Sequence, residues 1–175
     1  MSYFAAAAVR GAGGWNAAEL DLSKAADIEQ VAELLRDVDP TAEVSLLFVE
    51  ADDAYLVILR LDEGEDLRVF GSDSVFAEES RLGALLLGEI EEPALDIDEV
   101  TAEPAEADAD DDEAGPPIEA DIEPVGDPEL VADLGIPGHR LLALCAHDGM
   151  LPSDVTAEVC QVIGCGDEVE ELREG

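Results

Sequence analysis

The side chains with the widest chemical reach in this sequence are three cysteines and two histidines, and Cys145, His147, Cys160 and Cys165 fall within 21 residues of one another. Thiolates and imidazoles at close spacing make zinc sites or nucleophile–base pairs. Structural zinc sites pair their ligands about two to four residues apart in a turn. Here Cys145 lies inside an apolar helical run, and Cys160 lies on the face of Val159 and Ile163, so buried free thiols are the better reading. His139 and His147 flank the Leu141 to Leu144 run, as capping or exposed residues would. A Cys–His nucleophile needs a third orienting group, and the sequence names none. Carboxylates number 45 in 175 residues, so a close pair of them carries no information. Asp108 to Glu113 lacks the ligand spacing of an EF-hand and reads as a solvated run. Gly11 to Gly14 is followed by no Lys-Ser or Lys-Thr, so it reads as a turn and not a phosphate loop. Arg10, Arg36, Arg60, Arg68 and Arg81 read as ion-pair partners that relieve local acidity. The expectation is no catalytic, cofactor or metal residue.

The elements that position these groups come in two blocks. Tyr3 to Val9, the glycine turn and Trp15 to Leu22 predict two strands, against the helical preference of four consecutive alanines. Asp27-Ile28-Glu29-Gln30 has the form of a capping box. Ile28, Val31, Leu34, Leu35 and Val38 then recur at helical spacing up to Pro40. Val44 to Val49 and Tyr55 to Leu59 are apolar on both faces, which predicts central strands, and Leu67 to Phe70 adds a third. Ser72 to Ser74 offer cap oxygens to a helix carrying Val75, Leu82, Leu85 and Leu86, with Glu78 and Glu79 in its first turn. The order strand, strand, helix, three strands, helix predicts an α+β domain, an antiparallel sheet with helices packed on it. That order resembles the longin and profilin-like folds.

After Gly126 the pattern is all helical. Asp127-Pro128-Glu129 predicts a capped helix with Leu130, Val131 and Leu134. Pro137 opens a second helix that ends at Gly149, Pro152 a third that ends at Gly164, and Asp167 to Arg173 form a last short one. This small all-helical unit has more apolar surface than it can bury internally. Leu130, Leu134, Leu141, Leu142, Val155 and Val159 are its candidate partner-binding residues.

Between Gly88 and Gly126 stand sixteen carboxylates, no base and no aromatic ring. Such a stretch cannot offset an ordering cost of roughly 1–2 kcal/mol per residue, so it predicts a disordered linker with a root-mean-square span of roughly 35 Å. The expected division is 1–88 for the sheet domain, 89–126 for the acidic linker and 127–175 for the helical unit. All three parts are acidic within a net charge of −37. That field repels phosphates and anionic lipid, which argues against direct nucleic-acid or membrane binding, and it speeds encounter with basic protein surfaces. Tyr3 to Val9 is too short for a secretory signal, and an odd number of cysteines fits a reducing interior, so the expected location is cytoplasmic.

The layout resembles an actinobacterial family, the tRNA adenosine deaminase-associated proteins. The likeness rests on Met1-Ser2-Tyr3-Phe4-Ala5-Ala6-Ala7 with Gly14-Trp15 and on Arg68-Val69-Phe70-Gly71-Ser72-Asp73. It continues from Asp133-Leu134-Gly135 through Asp148-Gly149-Met150-Leu151-Pro152 to Glu171-Leu172-Arg173. The resemblance implies a tRNA adenosine deaminase as partner and assigns no functional residue. The chain does not carry the zinc deaminase pattern H-x-E with P-C-x-x-C, since Leu141 and Gly149 stand two places after the histidines and no Cys-x-x-Cys occurs. The leading expectation is therefore a non-enzymatic accessory protein. The alternatives are a small-ligand-binding domain or enzyme built on the sheet, and an acidic protein with no dedicated partner.

Overall fold

Alanine favours helices, yet Tyr3–Gly11 is a strand (β1), because it is paired along both edges. On one side it meets Gly14–Glu19 (β2) through a two-residue turn that closes on Gly11 opposite Gly14, whose φ of 109° suits a residue without Cβ. On the other it meets Val44–Ala51 (β3). The computed structural model describes residues 3–51, 55–63, 65–73, 76, 78, 80–87, 124–146 and 151–174. Tyr55–Asp62 (β4), Asp66–Gly71 (β5) and Val125–Gly126 (β6) complete a six-stranded, wholly antiparallel sheet in the order β2-β1-β3-β4-β5-β6. The α+β antiparallel architecture expected from the sequence is present, with β3 and β4 at its centre. Every residue of β3 is buried.

Burial on both faces requires a layer on each, and strand periodicity sorts the side chains accordingly. Ala5, Ala7, Val9, Leu47, Val49, Val57 and Leu59 face Val31 and Leu35 of helix α1 (Ile28–Val38) and Leu86 and Leu87 of helix α2 (Arg81–Leu87). Ala6, Ala8, Leu46, Phe48, Ile58 and Phe70 face the C-terminal helices α3 (Gly138–Ala146), α4 (Pro152–Ile163) and α5 (Gly166–Glu174). The helical unit thus forms the second cover of the sheet. Alanines in β1 keep that strand thin between the two layers.

Local chemistry sets the helix ends. Asp27 Oδ1 accepts from Gln30 N at 3.0 Å, and Gln30 Oε1 accepts from Ala26 N at 3.1 Å, one residue earlier than a simple capping box. Helix α4 starts with Pro152 at its first position and stops at Gly164, whose φ is 112°. Two expected helices differ in detail. Phe76 and Glu78 are already helical, with Phe76 N donating to the Asp73 carbonyl at 3.2 Å, and α2 begins afresh at Arg81, capped by Ser80, whose Oγ accepts from Leu82 N and Gly83 N at 3.1 and 3.2 Å. Gly83 passes so close to the Phe76 carbonyl that a Cβ there would stand 2.0 Å from the oxygen. After Asp127 the chain makes turns and one 3-10 helix, Ala132–Leu134, in place of an α-helix, since Gly135 at φ 118° ends it after one turn. Pro124, Val125 and Gly126 belong to the ordered sheet edge, where Gly71 pairs with Val125. The rest of the acidic stretch, with Asp52, Asp53, Val75, Glu79, His147 and Gly149, lies outside the described residues.

Candidate functional site

The helical layer is clipped to the sheet by two arginines. Arg60 on β4 is only 4% exposed. Its Nη1 donates to the Leu130 carbonyl at 2.6 Å and to Asp133 Oδ1 at 2.5 Å, its Nη2 to Asp133 Oδ2 at 3.0 Å, and its Nε to Asp62 Oδ1 at 2.9 Å. The hydrogen bonds from Arg60 hold the Asp133 carboxyl below its ordinary value, and those from Asp133 raise the Arg60 pKa. Toward the other end of the sheet, Arg173 of α5 grips the buried Glu50 with both Nη atoms, Nη1 to Oε1 at 2.9 Å, and lies 4.6 Å from the centre of the Phe4 ring. The sequence reading of Arg60 as an ion-pair partner is correct, but its partner 73 residues away was not legible.

This packing locates the six residues expected to bind a partner. Leu130, Leu141, Val155 and Val159 are fully buried in the core shared with the sheet, and Leu134 and Leu142 pack against that core half-buried. Four of the six therefore hold the layer in place. Among the described residues, the large apolar side chains that face outward are Leu151, 46% exposed at the start of α4, and Val162, 38% exposed near its end. A Cβ on Gly135 would stand 2.9 Å from Val162 Cγ1, so Val162 adjoins the Leu134–Gly135 turn.

The thiols are positioned by the same core. Cys160 and Cys165 are buried, and Cys145 is partly covered. Burial pushes the Cys145 thiol up to about 12, and a hydrogen bond with Cys165 together with burial pushes Cys160 up as well. Cys145 and Cys160 are thereby poor nucleophiles and poor ligands at neutral pH. Among the described residues no three His, Cys, Asp or Glu side chains come together as a metal site would require. His139 is exposed on α3.

The opposite layer holds a cleft of about 440 Å³ that the sequence reading did not foresee. It opens between the 3-10 helix Leu22–Lys24 and α2, with Tyr3, Ser23 and Arg81 among apolar walls. The signal available was Asp21-Leu22-Ser23: Asp21 Oδ1 accepts from Ser23 N at 2.9 Å and from Ser23 Oγ at 2.6 Å, fixing the short helix that forms one wall.

Residues 3–166 match the family model described as Rv3753c-like tRNA adenosine deaminase-associated protein. The chain belongs to this family. The match runs through the sheet and both of its covering layers up to the first residue of α5. The family's description speaks of association with a tRNA adenosine deaminase. No curated protein and no solved structure matches the chain. Among the described residues no helix is long and apolar enough to cross a membrane.

Proposed function

We propose that this protein is a non-enzymatic accessory subunit that binds a tRNA adenosine deaminase and modulates its access to tRNA. The family match across residues 3–166 carries the reading. Electrostatics supports it: an enzyme that holds tRNA presents a basic surface, and this chain, at net charge −37, is attracted to such a surface while phosphates are repelled. The acidic stretch supplies the salt-sensitive part of binding, and the outward Leu151 and Val162 side chains supply an apolar part that salt does not screen. The reading places the protein in the cytoplasm, with tRNA modification.

The test is co-purification and calorimetry with the deaminase of the same cell. Deleting 89–123 is expected to weaken binding at low salt and leave it little changed at high salt. Combining Leu151→Asp with Val162→Ser is expected to weaken it at every salt concentration; aspartate is a good N-cap, so α4 keeps its start. In a deaminase–tRNA mixture, added protein is expected to lower tRNA affinity. Absence of association at micromolar concentrations and low salt would end this reading.

A further inference from the structure

We propose that the cleft between Leu22–Lys24 and α2 binds an aliphatic monocarboxylate. Its volume of about 440 Å³ lies in the range of small-molecule sites, about 300–1,000 Å³. The apolar walls are Leu22, Leu82, Leu85 and the alanines 25, 26 and 84, beside the Tyr3 ring. Two of its three polar groups are already committed. Tyr3 Oη accepts from Leu22 N at 2.9 Å and donates to Asp21 at 3.4 Å, and Ser23 Oγ donates to Asp21 at 2.6 Å. The third is the Arg81 guanidinium. Arg60, Arg68, Arg140 and Arg173 are in ion pairs, Arg10 lies 5.6 Å from the centre of the Trp15 ring, and Arg36 also has a partner.

Among the described residues Arg81 alone of the arginines is without a partner, in a chain of 45 carboxylates. It lines the cleft, where a guanidinium beside an apolar surface selects a ligand with one negative head and an apolar body. A phosphate dianion would call for further donors, and the Tyr3 and Ser23 hydroxyls are already turned to Asp21.

The experiment is calorimetric titration of the full chain with octanoate, 1-octanol and octylamine, which share a body and differ in head charge. Octanoate is expected to bind at one saturable site at least tenfold more tightly than octanol, and octylamine not at all. Arg81→Gln is expected to bring octanoate to the octanol level with an unchanged melting temperature, and Leu85→Asp to abolish both. No saturable octanoate binding at millimolar concentration, equal binding of octylamine, or an Arg81→Gln variant that binds like wild type would overturn the proposal. So would octanoate binding that emerges only when 89–123 are deleted, because the chain's own acidic segment would then be the occupant. No deaminase is present in these measurements, so their failure leaves the accessory reading untouched.

Discussion

Replacing Arg60 by leucine tests whether the helical layer is held by the clip as well as by apolar contact. Leucine retains part of the arginine stem's packing and removes every donor. The Leu130 carbonyl loses a 2.6 Å bond in the interior, and an unsatisfied buried acceptor costs about 1–3 kcal/mol. The two carboxylates matter less, since the Asp62 and Asp133 side chains are 23% and 61% exposed and water replaces much of what the guanidinium gave them. Each such pair contributes about 0–1 kcal/mol. Arg60→Leu is thus expected to cost about 2–4 kcal/mol, a large share of the roughly 5–15 kcal/mol that stabilises a domain. Asp133→Asn, which keeps one acceptor and leaves Leu130 satisfied, should cost about 1 kcal/mol or less. Urea unfolding followed by circular dichroism and by Trp15 fluorescence measures both. Trp15 reports docking of the layer directly, because a Cβ on Gly164 at the end of α4 would stand 3.5 Å from the Trp15 Nε1. Equal losses in the two variants, or a loss under about 1 kcal/mol for Arg60→Leu, would refute the claim that Leu130 depends on this guanidinium.

The same clip gives a pH signature. Asp133 is held below its ordinary 3.8 by Arg60, which stays protonated, so the stability it adds is complete above the unfolded value and is lost as pH falls through the lower folded value. Wild type should therefore lose stability relative to Asp133→Asn only below about pH 4, in acid titrations of the pair; a constant difference down to pH 2 would contradict the assignment. Gly83→Ala would place a methyl 2.0 Å from the Phe76 oxygen and should cost about 1–3 kcal/mol, whereas Gly13→Ala meets nothing within 4 Å and should cost little; thermal melts compare them. Nicking the chain within 89–123 should leave two fragments that co-elute on a sizing column, because the second face of the sheet and the C-terminal helices share one core; separate elution of folded pieces would show that this core is not what joins them.

Elements were legible where a local signal was strong. The two-faced apolar runs of β3 and β4, the Asp27 cap and the Pro152 and Gly164 bounds of α4 all act within a few residues, and each is in place. Long-range consequences were not. Nothing near Leu130 or Val159 says that the apolar surface of a helix is spent on a sheet many residues earlier, so those side chains read as partner-facing. The surplus of apolar surface was correctly seen, but its recipient was invisible. The cleft was illegible for the same reason, since its walls come from residues near 22 and near 85, which only the fold brings together.

That fold also decides how the acidic stretch is displayed. The helix before it ends with Leu87, whose side chain lies within 2.7 Å of where a Gly71 Cβ would be, and the strand after it pairs Val125 with that same Gly71. Both ends of the stretch are therefore fastened at one point on the sheet edge. A chain of about 36 residues with coincident ends can reach no farther than half its contour, about 60 Å, from that point. Closing a loop costs an entropy that grows only with the logarithm of its length, while sixteen like charges repel. Replacing 89–123 by a short Gly-Ser link should thus leave the fold intact and raise the urea midpoint slightly at low salt, with the gain fading as salt is added. A lower midpoint at every salt concentration would mean that the stretch contributes contacts to the fold, and its role as a loop displayed for a basic partner would have to be abandoned.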